Sequence, residues 1–73
     1  MNLTARIVGD RMEVYDVSNG AVKKTMQLPG NAIYSGPIIS GIVVTVGIQF
    51  KTGGNRSRSY NIKTGSLISD VQM

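Results

Sequence analysis

Ile38-Ile39-Ser40-Gly41-Ile42-Val43-Val44-Thr45-Val46-Gly47-Ile48-Gln49-Phe50 is the stretch that decides the fold. From Ile42 onward its apolar residues alternate. Ile42, Val44, Val46, Ile48 and Phe50 fall on one face, and Val43, Thr45, Gly47 and Gln49 on the other. A period of two carried by β-branched side chains predicts a strand, because successive side chains of a strand point to opposite sides. At about 3.3 Å per residue such a strand reaches roughly 30 Å, which is long. Every other segment is shorter and less apolar, so the core has to be built against this one.

Tight turns divide the rest of the chain. Residues 3–8 read as a first strand, and Gly9-Asp10 suits a two-residue hairpin turn because Gly accepts positive φ. Residues 11–17 form the second strand, with Met12 and Val14 on one face and Glu13, Tyr15 and Val17 on the other. Ser18-Asn19-Gly20 turns the chain into a third strand, 21–28, on which Val22, Met26 and Leu28 share a face with Lys24. Pro29-Gly30-Asn31 ends that strand, since Pro cannot donate to a ladder. Residues 32–37 read as a loop leading into a short fourth strand, 37–40. The long strand is the fifth, 42–50, and Lys51 to Asn55 reads as a flexible loop. Strands over 56–62 and 66–73 follow, joined by Lys63-Thr64-Gly65. No segment sustains helical spacing. The expected fold is all-β, an antiparallel meander of about seven short strands, either propeller-blade-like or a small barrel.

The chain repeats itself with a period of 45 residues, so that segment 9–28 corresponds to segment 54–73. Tyr15-Asp16-Val17-Ser18-Asn19-Gly20 aligns with Tyr60-Asn61-Ile62-Lys63-Thr64-Gly65, and Gln27-Leu28 with Gln72-Met73. Repeats of about 40–50 residues mark propeller blades of four strands. Ser35-Gly36-Pro37-Ile38-Ile39-Ser40-Gly41, running into a valine-rich strand that reaches Gly47, resembles the first two strands of a blade in the quinoprotein-like (PQQ-type) β-propellers. The two Tyr-to-Gly segments resemble the ending of that family's third strand. The likeness covers about one full blade and three strands of another. The tryptophan usual on the family's last strand is absent, with Ser69 and Asp70 nearby, and Asn61 replaces an Asp. The resemblance implies blade-like sheets. Fewer than two blades cannot close a propeller of four to eight. Either several copies assemble or the strands curl otherwise. No cofactor-binding residue of that family can be placed here, and no cofactor is expected.

At 73 residues this is one small domain, 1–73, of a size that buries only about 60% of its unfolded surface. There is no cysteine and no histidine. That removes disulfides, Ser-His and Cys-His nucleophiles, and an ordinary structural zinc site. Asp10, Glu13 and Asp16 lie close in sequence, but Glu13 and Asp16 point to opposite faces of one strand. The chain is therefore read as no enzyme. No secretory signal and no membrane-spanning run is visible, so the expected location is cytoplasmic or virion-associated.

The net charge of +4 is uneven, with Lys51, Arg56, Arg58 and Lys63 forming a segment free of acids. Arg56, Arg58 and Tyr60 share one strand face, and the adjacent Gly53-Gly54 turn offers backbone amides. Lys51, Arg56, Arg58, Tyr60 and Lys63 are thus the candidate contacts for an anion or for nucleic acid, through charge and base stacking. Met1, Met12, Met26 and Met73 offer a second candidate surface, adaptable because Met side chains are flexible, although the apolar alternation around Met12 and Met26 reads rather as core filling. The leading expectation is a non-enzymatic, self-associating β module, a homo-oligomer within a larger assembly, compatible with a phage or viral origin. One half-buried sheet of this size needs a partner for its apolar face. Ile48 and Phe50, at the far end of the long strand, are the candidate self-association residues, reaching a partner or the N-terminal strand. A small basic β-barrel that binds nucleic acid is the alternative.

Overall fold

A computed structural model describes residues 2–73. Seven antiparallel strands follow one another in chain order: β1 (Leu3–Val8), β2 (Arg11–Asp16), β3 (Val22–Gln27), β4 (Ala32–Ser40), β5 (Val43–Phe50), β6 (Asn55–Asn61) and β7 (Leu67–Gln72). They form two separate meanders, a three-stranded sheet β1-β2-β3 and a four-stranded sheet β4-β5-β6-β7. The sheets do not join into one ladder, so the fold is not a barrel.

One apolar layer lies between the sheets. Met12 and Val14 of β2, Met26 of β3 and Leu28 contribute from the first sheet. Val44, Val46 and Ile48 of β5, Tyr60 of β6 and Ile62 contribute from the second. Leu3, Ala5 and Ile7 of β1 pack against this layer, as do Tyr34, Ile39 and Phe50. The period-two pattern explains the division, because Met12 and Val14 are buried whereas Glu13 and Tyr15 between and beside them are half-buried on the opposite side. The sheets approach most closely where edge strands β1 and β4 run past each other.

Two features depart from the alternation. β4 is longer than the sequence predicts, spanning Ala32–Ser40, and residues 32–36 are strand rather than loop. Ala32, Ile33, Tyr34 and Ser35 pair with Phe50, Gln49, Ile48 and Gly47 before the register slips across Gly36-Pro37. Gly36 adopts φ +85 at that slip, a conformation that only Gly enters freely. Opposite Ser35, Gly47 leaves space for the serine hydroxyl, which a Cβ would overlap. The second departure is a bulge between Val14 and Tyr15, where Val14 faces Lys24 and Tyr15 faces Val22. It moves Val22 off the core face expected for it, and Val22 is 45% exposed. Between the sheets, the Tyr34 hydroxyl donates to the Pro29 carbonyl and ties β4 to the end of β3.

Candidate functional site

β6 pairs with β5 on one side and β7 on the other, and this register sets its charged side chains beside the core. Val44 faces Tyr60, Val46 faces Arg58, and Ile48 faces Arg56. Arg58 in turn faces Asp70 of β7. Arg56, Arg58, Tyr60 and Asp70 thus continue the inner face of the four-stranded sheet. Arg56 Nε donates to Asp70 Oδ1 at 2.6 Å and Arg58 Nε to Asp70 Oδ2 at 3.0 Å. Arg58 Nη1 also donates to the Tyr60 hydroxyl at 3.2 Å. The hydrogen bond from Arg56, aided by the charge of Arg58, holds the Asp70 carboxyl below its usual value of 3.8 against a smaller opposing effect of burial. A carboxylate held ionised in this way is a poor general base at neutral pH.

This geometry corrects part of the nucleic-acid expectation. Tyr60 is 5% exposed and lies in the core, so its ring has no face to offer a base. Arg56 and Arg58 are engaged by a shared carboxylate, which offsets one of their two charges. Lys51 and Lys63 are exposed, but they sit in the turns at opposite ends of β6. Seven strand residues at about 3.3 Å each separate them by roughly 20 Å. A shallow cleft of about 150 Å³ opens between Phe50, Gly53, Gly54, Asn55, Arg56 and Gln72. The Gly53 amide does not line it as a free donor, since it bonds the Phe50 carbonyl at 3.0 Å. The loop expected over Lys51 to Asn55 is a closed turn, with Phe50 N donating to Gly54 O at 3.0 Å.

Of the two outcomes expected for Ile48 and Phe50, the geometry fits the intramolecular one, since Leu3, Ala5 and Ile7 of the N-terminal strand pack against the core that holds Ile48. Ile48 is 1% exposed inside the chain's own core, and Phe50 is half-buried against it. Ile48 has no surface left for a second copy. Of the methionines, Met12 and Met26 are buried and Met73 is exposed, while Met1 lies outside the described residues.

Two outer faces remain. That of the three-stranded sheet carries Thr4, Tyr15 and Val22 in one cross-strand row, Arg6, Glu13 and Thr25 in the next, and Val8, Arg11 and Gln27 in the third. Arg6 Nε donates to Glu13 Oε1 at 3.0 Å, and its guanidinium lies 4.5 Å from the Tyr15 ring centroid. The outer face of the four-stranded sheet is different in kind. Its cross-strand rows are Ile33, Gln49 and Asn55, then Ser35, Gly47, Ser57 and Val71, then Ile38, Thr45, Ser59 and Ser69, then Ser40, Val43 and Asn61. Met73 continues it beside Asn55, to whose carbonyl its amide donates at 2.9 Å. Thr45 and Ser59 hydroxyls bond each other at 3.0 Å. None of these side chains is charged, although the chain has eight Lys and Arg and four Asp and Glu. Ile33, Ile38, Val71 and Met73 stand 59%, 70%, 56% and 71% exposed on it. Alternation along each strand places these residues together only once the register between strands is known, which is why the sequence did not single out the face.

Comparison with protein-family models, with curated proteins and with solved structures finds no match to this chain. Among the described residues no helix is long and apolar enough to cross a membrane.

Proposed function

We propose that this chain is a non-enzymatic, self-associating β module, a building unit of a larger homo-oligomeric assembly. The observation that carries this reading is the uncharged outer face of the four-stranded sheet, with Ile33, Ile38, Val71 and Met73 exposed on it. The surface of a small soluble domain ordinarily mixes in about 25–35% charged residues. Interface centres, by contrast, are depleted of charge and enriched in Met. Four strands about 4.8 Å apart and some eight residues long present roughly 500 Å² in plan, and covering such a face from both sides reaches the order of 1,000 Å² of a specific contact.

Sedimentation velocity over a concentration series tests the reading. The expected result is a species heavier than the 7.8 kDa chain that grows with concentration. A strictly monomeric chain at several hundred micromolar would refute it.

A further inference from the structure

The turns of the β2–β3 and β6–β7 hairpins share a set of backbone hydrogen bonds 45 residues apart. Asp16 N donates to Ala21 O at 2.9 Å, and Asn61 N to Ser66 O at 2.9 Å. Gly20 N reaches Asp16 O at 2.7 Å, and Gly65 N reaches Asn61 O at 2.8 Å. Asp16 Oδ1 accepts from Ser18 N at 2.9 Å, as Asn61 Oδ1 accepts from Lys63 N at 2.8 Å. Both hairpins carry the same bulge, between Val14 and Tyr15 in one and Ser59 and Tyr60 in the other. The preceding strands match as well, since Ala5 faces Val14 as Thr45 faces Ser59.

These equivalences exchange the faces of the two sheets. Met12, Val14 and Met26, buried on the inner face of the first sheet, correspond to Ser57, Ser59 and Val71 on the outer face of the second. Tyr60 and Ile62, buried on the inner face of the second sheet, correspond to Tyr15 and Val17 on the outer side of the first. The internal contact therefore joins one type of face to the other, and each molecule leaves one face of each type uncovered.

We propose that a second copy of this chain docks head to tail. The outer face of its three-stranded sheet, around Thr4, Tyr15 and Val17, covers the outer face of the four-stranded sheet, around Thr45, Ser59 and Val71. This inference deepens the proposed self-association by naming its two surfaces. The docking face suits an uncharged partner at its centre, where Arg6 and Glu13 neutralise each other and Arg6 lies against Tyr15, and its further charge, Arg11, sits at the end of the face beside the β1–β2 turn. A contact between two different surfaces repeats from copy to copy, giving a ring if the rotation closes and a filament if it does not. The sheets come closest along β1 and β4, so a stack of such molecules is expected to curve.

Two single variants test this by sedimentation, Val71→Glu on one face and Val17→Glu on the other. Both positions are more than half exposed, at 56% and 57%, and circular dichroism verifies folding. If either variant unfolds, Met73→Glu or Thr4→Glu replaces it. Each variant alone is expected to sediment as a 7.8 kDa monomer. An equimolar mixture is expected to form a 1:1 dimer that grows no further, because one native pair of faces remains. If the native chain associates but Val17→Glu does so equally well, the head-to-tail contact is wrong while self-association stands. Two monomeric variants that fail to complement each other also overturn it. A monomeric native chain overturns both.

Discussion

Truncating Ile48 separates a core role from an interface role. Ile48→Ala removes three buried carbons from the apolar layer, where Ile48 is 1% exposed. At about 0.8 kcal/mol per buried carbon, the transfer loss alone is about 2.4 kcal/mol. The space left behind adds to this, and such truncations cost about 2–5 kcal/mol in total. Phe50, half-buried two residues along the same face, can settle toward the gap, which places the expected loss near 3 kcal/mol by the same scale. A chain of 73 residues at about 0.05–0.15 kcal/mol each has roughly 4–11 kcal/mol to lose. Ile48→Val, which removes one carbon, should cost about 1 kcal/mol. Urea unfolding followed by tyrosine fluorescence reads both, at one fixed protein concentration because association would raise apparent stability. The midpoint should fall in the order native, Ile48→Val, Ile48→Ala with an unchanged slope. If Ile48→Ala kept the native midpoint and lost only self-association, Ile48 would be an interface residue and its place in the core would be wrong.

Gly20 and Gly65 hold φ +74 and +77 in equivalent turns. Replacing either by Ala should destabilise by about 1–2 kcal/mol, and the double variant should show the sum, as urea midpoints will report. Asp16 and Asp70 both have carboxyls held below the usual 3.8, Asp16 by the Ser18 hydroxyl and amide and Asp70 first by Arg56. A depressed folded pKa adds stability above 3.8 that disappears as pH falls through the folded value. Thermal unfolding from pH 6 to pH 2 should therefore show a steeper acid loss for the native chain than for the Asp16→Asn, Asp70→Asn double variant. Tyr60→Phe deletes the acceptor for Arg58 and should cost about 1 kcal/mol.

Much of the fold is legible because its signals are local. Gly9-Asp10, Ser18-Asn19-Gly20 and Lys63-Thr64-Gly65 mark turns by residue type, and the alternation from Val43 to Phe50 marks β5 without reference to anything else. β4 is harder, because Gly36-Pro37 breaks the pattern just where the strand slips register and continues. Val22 is misplaced for a similar reason, since a one-residue bulge reverses every side chain beyond it. The candidate site was less legible still. Alternation puts Arg56, Arg58 and Tyr60 on one face, but it does not say that this face looks inward. Only the pairing of β6 with Val44, Val46 and Ile48 decides that, and the pairing is non-local. Asp70 becomes the partner of two arginines for the same reason, across the β6–β7 ladder.

The two hairpins share a backbone while their faces differ in chemistry, and the difference suits a surface that is covered in one state and wet in another. Where the first sheet buries Met12 and Val14, the equivalent positions of the second carry Ser57 and Ser59. A face as apolar as the first would drive indiscriminate edge and face association of a free chain. A charged face would keep the chain soluble, but each unpaired charge would oppose docking by several kcal/mol of lost hydration. Hydroxyl groups lie between these limits. In water they are solvated, and on docking they can pair with each other across strands, as Thr45 and Ser59 already do at 3.0 Å. Few donors are then stranded when water leaves, so the apolar contribution of Ile38, Val71 and Met73 is not cancelled. On this view the turn residues preserve the repeated backbone, and the substituted face sets how firmly one copy holds the next.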